Sequence, residues 1–421
     1  MREKAIKFLV AVLCACCWSG APVYGAEFQI QPAINLSEEY NDNIFLTNEN
    51  KTADYITWVN PSVALKYEAP FWTWDTRYSF DYLYYARRSR KDDRIHSLNV
   101  GGLINVLKDR AFLKIGEDYN RVSLDVTRDL TKESPFLNLS DRNIFTLNPY
   151  YVLRLSGRVS VTTGYIYADT WYKKSAGVGK VNHIGYIEPS YELSPKLSLS
   201  AGYRYTREDS DAADFDRSDL YLGSKYEYAG GSNVFFRVGN SRLKFPGTRD
   251  TGNVFWNAGI THNYTHFTGS LETSSDYTEN PLGTVEKTTT YLAAIRREFK
   301  RTLLNISIAL TEYKDPETGQ FDTRKYGTTG NMRYEISSKA TGALDFTVEK
   351  LEDKIVKSYI RRYLVGLKLD YLFWKDTTLD FSYSYTDSHS PKILSDKYRN
   401  NRFFIGIRKS FRAGPIISEN K

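Results

Sequence analysis

Nine tight polar reversals punctuate this chain, at Ala69-Pro70, Lys108-Asp109, Ser156-Gly157, Ser194-Pro195, Gly230-Gly231, Thr265-His266, Lys300-Arg301, Ser338-Lys339 and Lys375-Asp376. They recur at intervals of roughly 35 to 48 residues, and each joins two stretches in which apolar and polar residues alternate. Residues 192–207 show the unit. Beyond the turn at Ser194, Pro195 and Lys196, the residues Leu197, Leu199, Ala201, Tyr203 and Tyr205 share one face of an extended strand. Ser198, Ser200, Gly202, Arg204 and Thr206 share the other, because strand side chains alternate with period two.

The connections between these hairpins are longer and polar, at 41–54, 125–142, 172–180, 209–216, 245–252, 315–322 and 388–397. Short reversals on one side and long ones on the other are the asymmetry of a membrane barrel, with turns in the periplasm and loops outside. A sandwich has no reason to sort its connections, and the blade motif of a propeller is missing. Nine turns imply about eighteen strands. A first strand over 28–40, weakened by Pro32, and a last segment bring the count to about twenty. The expected fold is all-β: a transmembrane antiparallel up-and-down β-barrel of about 20 strands, with 18 as the alternative.

Mean hydropathy is −0.49, and outside the N-terminus no stretch is apolar enough for a membrane helix. The 33 Tyr, 22 Phe and 7 Trp suit aromatic girdles at the two lipid interfaces. Arg2, Lys4 and Lys7, an apolar run over 8–17 and a small-residue site before Ala26 read as a secretory signal peptide over 1–25. The barrel then occupies 26–411, with a short tail over 412–421, in the outer membrane of a Gram-negative bacterium. Cys14, Cys16 and Cys17 all lie in the signal, so the mature chain has no thiol chemistry; Leu13-Cys14-Ala15-Cys16 leaves a lipoprotein signal as the alternative. A formal charge of +7 is too mild to argue for nucleic acid as a partner.

Catalytic chemistry has little to stand on. There is no nucleophile elbow, P-loop, HExxH or EF-hand loop. Of His96, His183, His262, His266 and His389, the pair His262 and His266 flanks a turn in β structure and reads as interfacial polar residues rather than metal ligands. The expectation is a protein that is not an enzyme and uses no cofactor or metal. The wet face carries Asp75, Arg77, Asp81, Lys114, Asp118, Arg204, Lys225, Glu227, Arg237, Arg333, Glu335, Asp345, Glu349, Lys368, Asp370 and Asp380. Charges pointing into hydrocarbon would cost several kcal/mol each, so these are expected to line the lumen, most of them as cross-strand ion pairs. Twenty strands ~4.8 Å apart and tilted ~40° close a cylinder about 40 Å across, and the 125–142 connection could fold inward to narrow it.

Two segments carry resemblances. Residues 401–411, N-R-F-F-I-G-I-R-K-S-F, resemble the C-terminal strand that the barrel-assembly machinery recognises, with Lys409 and the tail beyond Phe411 as departures. Residues 38–45, E-E-Y-N-D-N-I-F, resemble the opening of the beta-barrel porin 2-like outer-membrane proteins, barrels associated with PEP-CTERM/exosortase and exopolysaccharide systems. That resemblance implies a channel for export of exopolysaccharide, working with periplasmic export proteins. A general diffusion porin, or a structural sheath for a periplasmic or electron-carrying partner, stand as the other readings.

Overall fold

The computed structural model describes residues 26–125, 130–131, 133–174, 176–212, 214–246, 250–315, 321–355, 357–392 and 396–411; the expected signal and tail lie outside them. The first strands are β1 (Glu27–Asn41), β2 (Asp54–Ala69), β3 (Trp72–Tyr85), β4 (Asp93–Leu107) and β5 (Ala111–Ser123). Next come β6 (Leu139–Arg154), β7 (Val159–Tyr172), β8 (Lys180–Ser194), β9 (Leu197–Ser210) and β10 (Phe215–Ala229). They are followed by β11 (Ser232–Lys244), β12 (Thr251–Asn263), β13 (Thr268–Glu279), β14 (Val285–Glu298) and β15 (Thr302–Lys314). The ring is completed by β16 (Phe321–Glu335), β17 (Ala340–Asp353), β18 (Ser358–Trp374), β19 (Thr377–His389) and β20 (Tyr398–Ser410). Each strand pairs antiparallel with the next, and β1 pairs with β20, so one 20-stranded sheet closes on itself. A closed sheet leaves no edge, which is what a strand needs to cross hydrocarbon with its backbone satisfied.

All nine reversals fall where the alternation breaks, as turns between an even strand and the odd one after it. Asp109, Gly231 and Asp376 adopt positive φ there, and a Cβ on Gly231 would overlap Asn263 Nδ2. Pro32 sits inside β1 without breaking it. The β20 ladder begins one residue later, at Ala33↔Ser410, and the Pro32 carbonyl still accepts the Phe411 amide at 2.8 Å. The connection read as 125–142 is shorter than expected, because β6 already starts at Leu139.

The apolar register faces outward. Leu220, Leu222, Leu271 and Ile308 are each about 60% exposed, as lipid-facing side chains are in an isolated chain. Near the turn end Tyr228 stacks on His262, which meets Tyr264, and Tyr264 stacks on Phe267. His262 accepts or donates one hydrogen bond with the Tyr228 hydroxyl at 2.8 Å and is part of that aromatic belt. Lys409, in an outward register, reaches the turn and donates to the Lys375 carbonyl at 2.9 Å, so its charge clears the apolar band.

Candidate functional site: a lumen crossed from two sides

Contacts between strands that are not neighbours can pass only through the interior, and they identify the concave face. Lys180 on β8 pairs with Glu279 on β13, and Arg217 on β10 pairs with Asp276 on β13 at 2.6 Å. The period of two then places every strand's remaining residues. By that rule the structure sets all sixteen residues of the expected wet face on the concave side. Most are paired. Arg77 meets Asp75 at 3.4 Å, Arg142 meets Asp118 at 3.4 Å, Lys368 meets Asp370 at 3.0 Å and Arg408 meets Asp380 at 3.5 Å. Asp81 accepts from Asn60 Nδ2, Asp345 accepts from Asn331 Nδ2 at 2.7 Å, and Arg237 stands 3.9 Å from Glu188. Arg204 lines the same wall beside Asp219, its register partner on β10.

Two ladders stop short, and this shapes the lumen. The β4–β5 ladder ends at Leu98↔Tyr119, although β4 continues to Asp93 and β5 to Ser123. The β12–β13 ladder ends at Trp256↔Ser275, although β12 starts at Thr251 and β13 runs to Glu279. Beyond those rungs β5 and β13 stay paired with β6 and β14, which keep their own ladders to β7 and β15 as far as Arg142↔Tyr172 and Lys287↔Lys314, so each hairpin parts from one neighbour only. Both turn inward. Tyr277 shares its register with outward-facing Leu271, yet it is 8% exposed and its hydroxyl takes the amide of Asn253, which faces the lumen, at 2.6 Å. Arg121 likewise shares the outward register of Tyr119 but donates to Asp93 on the inner face of β4 at 2.8 Å. Both departures begin just beyond outward-facing rings, Tyr119 against Trp171 on one side and Trp256 on the other. That position follows from solvation: parted strand edges expose N–H and C=O groups, each costing several kcal/mol in hydrocarbon, so a ladder can open only where water reaches it.

The β5–β6 tip extends farthest. Glu133, in the connection between these strands, accepts from the Arg362 guanidinium on β18 and the Tyr398 hydroxyl on β20. All three are almost wholly buried. Arg362 also donates to Glu349 at 3.0 Å, and Glu349 takes Lys325 at 2.8 Å, so the loop plugs into an ion chain on the opposite wall. The β13–β14 tip is held by Lys180, which serves both Glu279 and Glu208, and by the Val178 amide on the Pro281 carbonyl at 2.9 Å.

The 38–45 motif turns out to anchor this arrangement. Glu39, 1% exposed, accepts from Arg402 Nε at 2.6 Å, Trp58 Nε1 at 2.9 Å and Asn41 Nδ2 at 3.1 Å. Asp42 takes both the amide and the side chain of Asn401, which locks the β1–β20 seam. Asn43 bridges Thr47 and the Arg399 carbonyl. Ile44 drops into a small core with Ile56, Leu83, Tyr85 and Ile95, and Phe45 meets Phe136 of the inturned connection edge-on at 5.8 Å. Sequence reasoning did not find Glu133, Arg362, Lys180, Glu208 or Glu279. Their partners lie far away in the chain, and Glu279 stands in a register that elsewhere faces lipid.

Inner rings lie against the wall over glycines. A Cβ on Gly202 would overlap the Tyr221 ring; on Gly164 it would come within 2.6 Å of the Tyr186 hydroxyl, and on Gly239 within 2.6 Å of Phe255. Tyr221 is further pinned by donating to Glu188, with the Arg237 guanidinium 4.7 Å over its ring. Among the described residues there is no cluster of metal-ligating side chains.

No protein-family model matches the chain, and no curated protein matches it in sequence. Solved structures do match in fold. The ferric enterobactin receptor of Pseudomonas aeruginosa, in a mutant form, superposes with a TM-score of 0.52 at 10% identity, covering 92% of this chain and 80% of the receptor. The FrpB iron transporter of Neisseria meningitidis gives 0.51 at 8% identity, covering 91% of this chain and 82% of the transporter. These likenesses show the fold, a closed antiparallel β-barrel similar to those of outer-membrane proteins.

Proposed function

We propose that the chain is a non-enzymatic outer-membrane channel for hydrophilic cargo, and that the cargo is an exopolysaccharide leaving the cell. The observation that carries the channel reading is how the interior is closed. The elements that cross it are fastened to the far wall by ion pairs and hydrogen bonds, Glu133 to Arg362 and Tyr398 above all. Such contacts can be exchanged for water, whereas a packed core cannot. A wall of interspersed charges of both signs and pinned aromatic rings suits a sugar chain, which stacks on rings and exchanges hydrogen bonds weakly enough to slide. The resemblance of residues 38–45 supports the same cargo. A general diffusion porin is favoured by the narrowing from two sides, which would set a size limit for small solutes. The sheath reading is weakened because the chain's own hairpins occupy the lumen.

Deleting the gene and measuring secreted polymer tests the proposal. Loss of secretion with normal uptake of small solutes is expected, and unchanged secretion would overturn export in favour of the porin. Planar-bilayer recordings test the channel itself; silence in both the wild type and Glu133→Gln would sink it.

A further inference from the structure

We propose that the inner wall of β12–β17 carries a seat for an uncharged glycan chain, built from two adjoining rows of hydroxyl and amide side chains that a polymer entering from the turn side meets first. The inference rests on the channel reading above and narrows its cargo. A hollow of about 450 Å³ lies on this wall. One row of register partners runs Thr261, Ser270, Ala294, Ser307, Thr329 and Thr347, one residue from each of six consecutive strands. The adjoining row, two residues nearer the turns, runs Thr268, Arg296, Asn305, Asn331 and Asp345. Every one of these residues lines the hollow. Asp345 faces the lumen, and register partners share a face, so both rows face it too.

These rows offer hydrogen bonds in both senses. A hydroxyl donates and accepts, and an amide does each at a separate atom, so a sugar hydroxyl finds a partner whichever way it points. Two contacts order the groups beforehand: Ser307 Oγ lies 2.7 Å from Thr329 Oγ1, and Asn331 Nδ2 donates to Asp345 Oδ1 at 2.7 Å. Asn305 and Arg296 make no side-chain hydrogen bond or ion pair among the described residues, which leaves their donors to a ligand. The charges lining the hollow are Arg296 against Glu272 and Asp345, and Asp345 is already engaged by Asn331, so recognition rests on hydroxyls rather than on net charge. Successive members of a row stand one strand apart, ~4.8 Å, a step close to that between successive rings of an extended glycan. Because the strands tilt by ~40°, rows that run across them climb the wall obliquely, as a chain moving along the axis requires. The seat lies between the last β12–β13 rung, Trp256↔Ser275, and the turn at Thr265-His266, on the turn side of the hairpin that bends inward. A polymer arriving from the periplasm therefore reaches it before either inturned tip.

The test records single barrels in planar bilayers with maltohexaose, or a poly(ethylene glycol) of equal hydrodynamic radius, added on the turn side. The ether polymer fills the same volume and donates no hydrogen bonds along its length. We expect maltohexaose to block the current in events about tenfold longer than the ether polymer does, and the difference to vanish in S307A/T329V/T347V, which keeps side-chain volume nearly constant while removing three hydroxyls. N305A/N331A, in the other row, should shorten the blocks as well. Ser79 and Ser97 are paired lumen-facing hydroxyls on β3 and β4 across the barrel, and S79A/S97A should change nothing. Heat-modifiable migration confirms that each variant is folded. Equal block times for the two polymers in the wild type, or unchanged times in both row variants, would overturn the seat, and so would equal shortening in S79A/S97A. A barrel that conducts but shows no sugar dwell sinks this inference and leaves the channel standing. A barrel that is silent sinks the channel reading instead, and saturation-transfer NMR of maltohexaose on the detergent-solubilised protein, wild type against S307A/T329V/T347V, then decides the seat by whether transfer is present and lost.

Discussion

Glu133 and Arg362 form an ion pair across the lumen, between a connection that leaves β5 and the wall strand β18, with both side chains sealed from water. Tyr398 completes it by donating to the second carboxylate oxygen. Removing one partner of a buried pair strands the other charge, at about 3–5 kcal/mol. Here the loop can relieve that cost by leaving, so the effect should appear in conduction rather than unfolding. Glu133→Gln and Arg362→Met are expected to raise single-channel conductance by roughly twofold or more, with frequent steps between levels. Wild-type conductance in both would show that the connection does not limit the pore.

The other tip has a different fastening. Lys180 is the cation shared by Glu208 and Glu279, and Lys180→Met leaves two carboxylates facing each other. Amide exchange should then accelerate across residues 276–286, while the β8–β9 ladder stays protected. Exchange unchanged in that tip would mean that Arg217 with Asp276 suffices to hold it.

Adjacent glutamates in the 38–45 motif separate structure from surface. Glu39 is buried under three donors, whereas Glu38 points outward and, among the described residues, accepts from Thr57 at 2.7 Å. Glu39→Ala is expected to cost about 3–5 kcal/mol in urea unfolding from detergent, and Glu38→Ala to stay within about 0.5 kcal/mol. Equal effects would contradict the assignment of the seam.

Alternation predicts opposite outcomes on the two faces of one ladder. Leu222 is 62% exposed to the outside, and a charge there near mid-membrane should cost about 2–4 kcal/mol, so Leu222→Arg should impair assembly measured by heat-modifiable migration. Arg204, on the inner face of neighbouring β9, should tolerate Arg204→Ala with assembly intact and at most a changed conductance. Failure of Arg204→Ala to assemble would falsify the facing.

Gly202 has no room for a side chain, because the Tyr221 ring lies where its Cβ would stand. Gly202→Ala should destabilise by about 1–3 kcal/mol, and most of that loss should vanish when Tyr221 is also truncated to Ala. Additive losses in the double variant would place the strain elsewhere.

Much of the architecture could be read from local residue patterns. Each strand's face depends on side chains that alternate within it, and each turn on two or three residues such as Lys375-Asp376, where Asp376 takes positive φ. The count of about twenty strands, with eighteen as the alternative, and the face shared by Arg204, Lys368 and Asp345 along their strands follow from those patterns alone. The lumen's shape does not. Arg121 and Glu279 sit in the outward register at the loop ends of their strands, and so do Arg324 and Glu352. The first pair is carried inside and the second stays at the membrane surface, although the residue types are the same. The difference is that the β4–β5 and β12–β13 ladders stop while the β15–β18 ladders run on. Whether a ladder stops is decided by distant partners, Lys180 for Glu279 and Arg362 for Glu133, whose attraction draws a hairpin away from its neighbour only where water can satisfy the backbone it leaves bare. The sequence by itself therefore determined a closed barrel with one wet face and one greasy one. Only the tertiary structure decided which charged ends fold into the channel, because that depends on contacts between residues far apart along the chain.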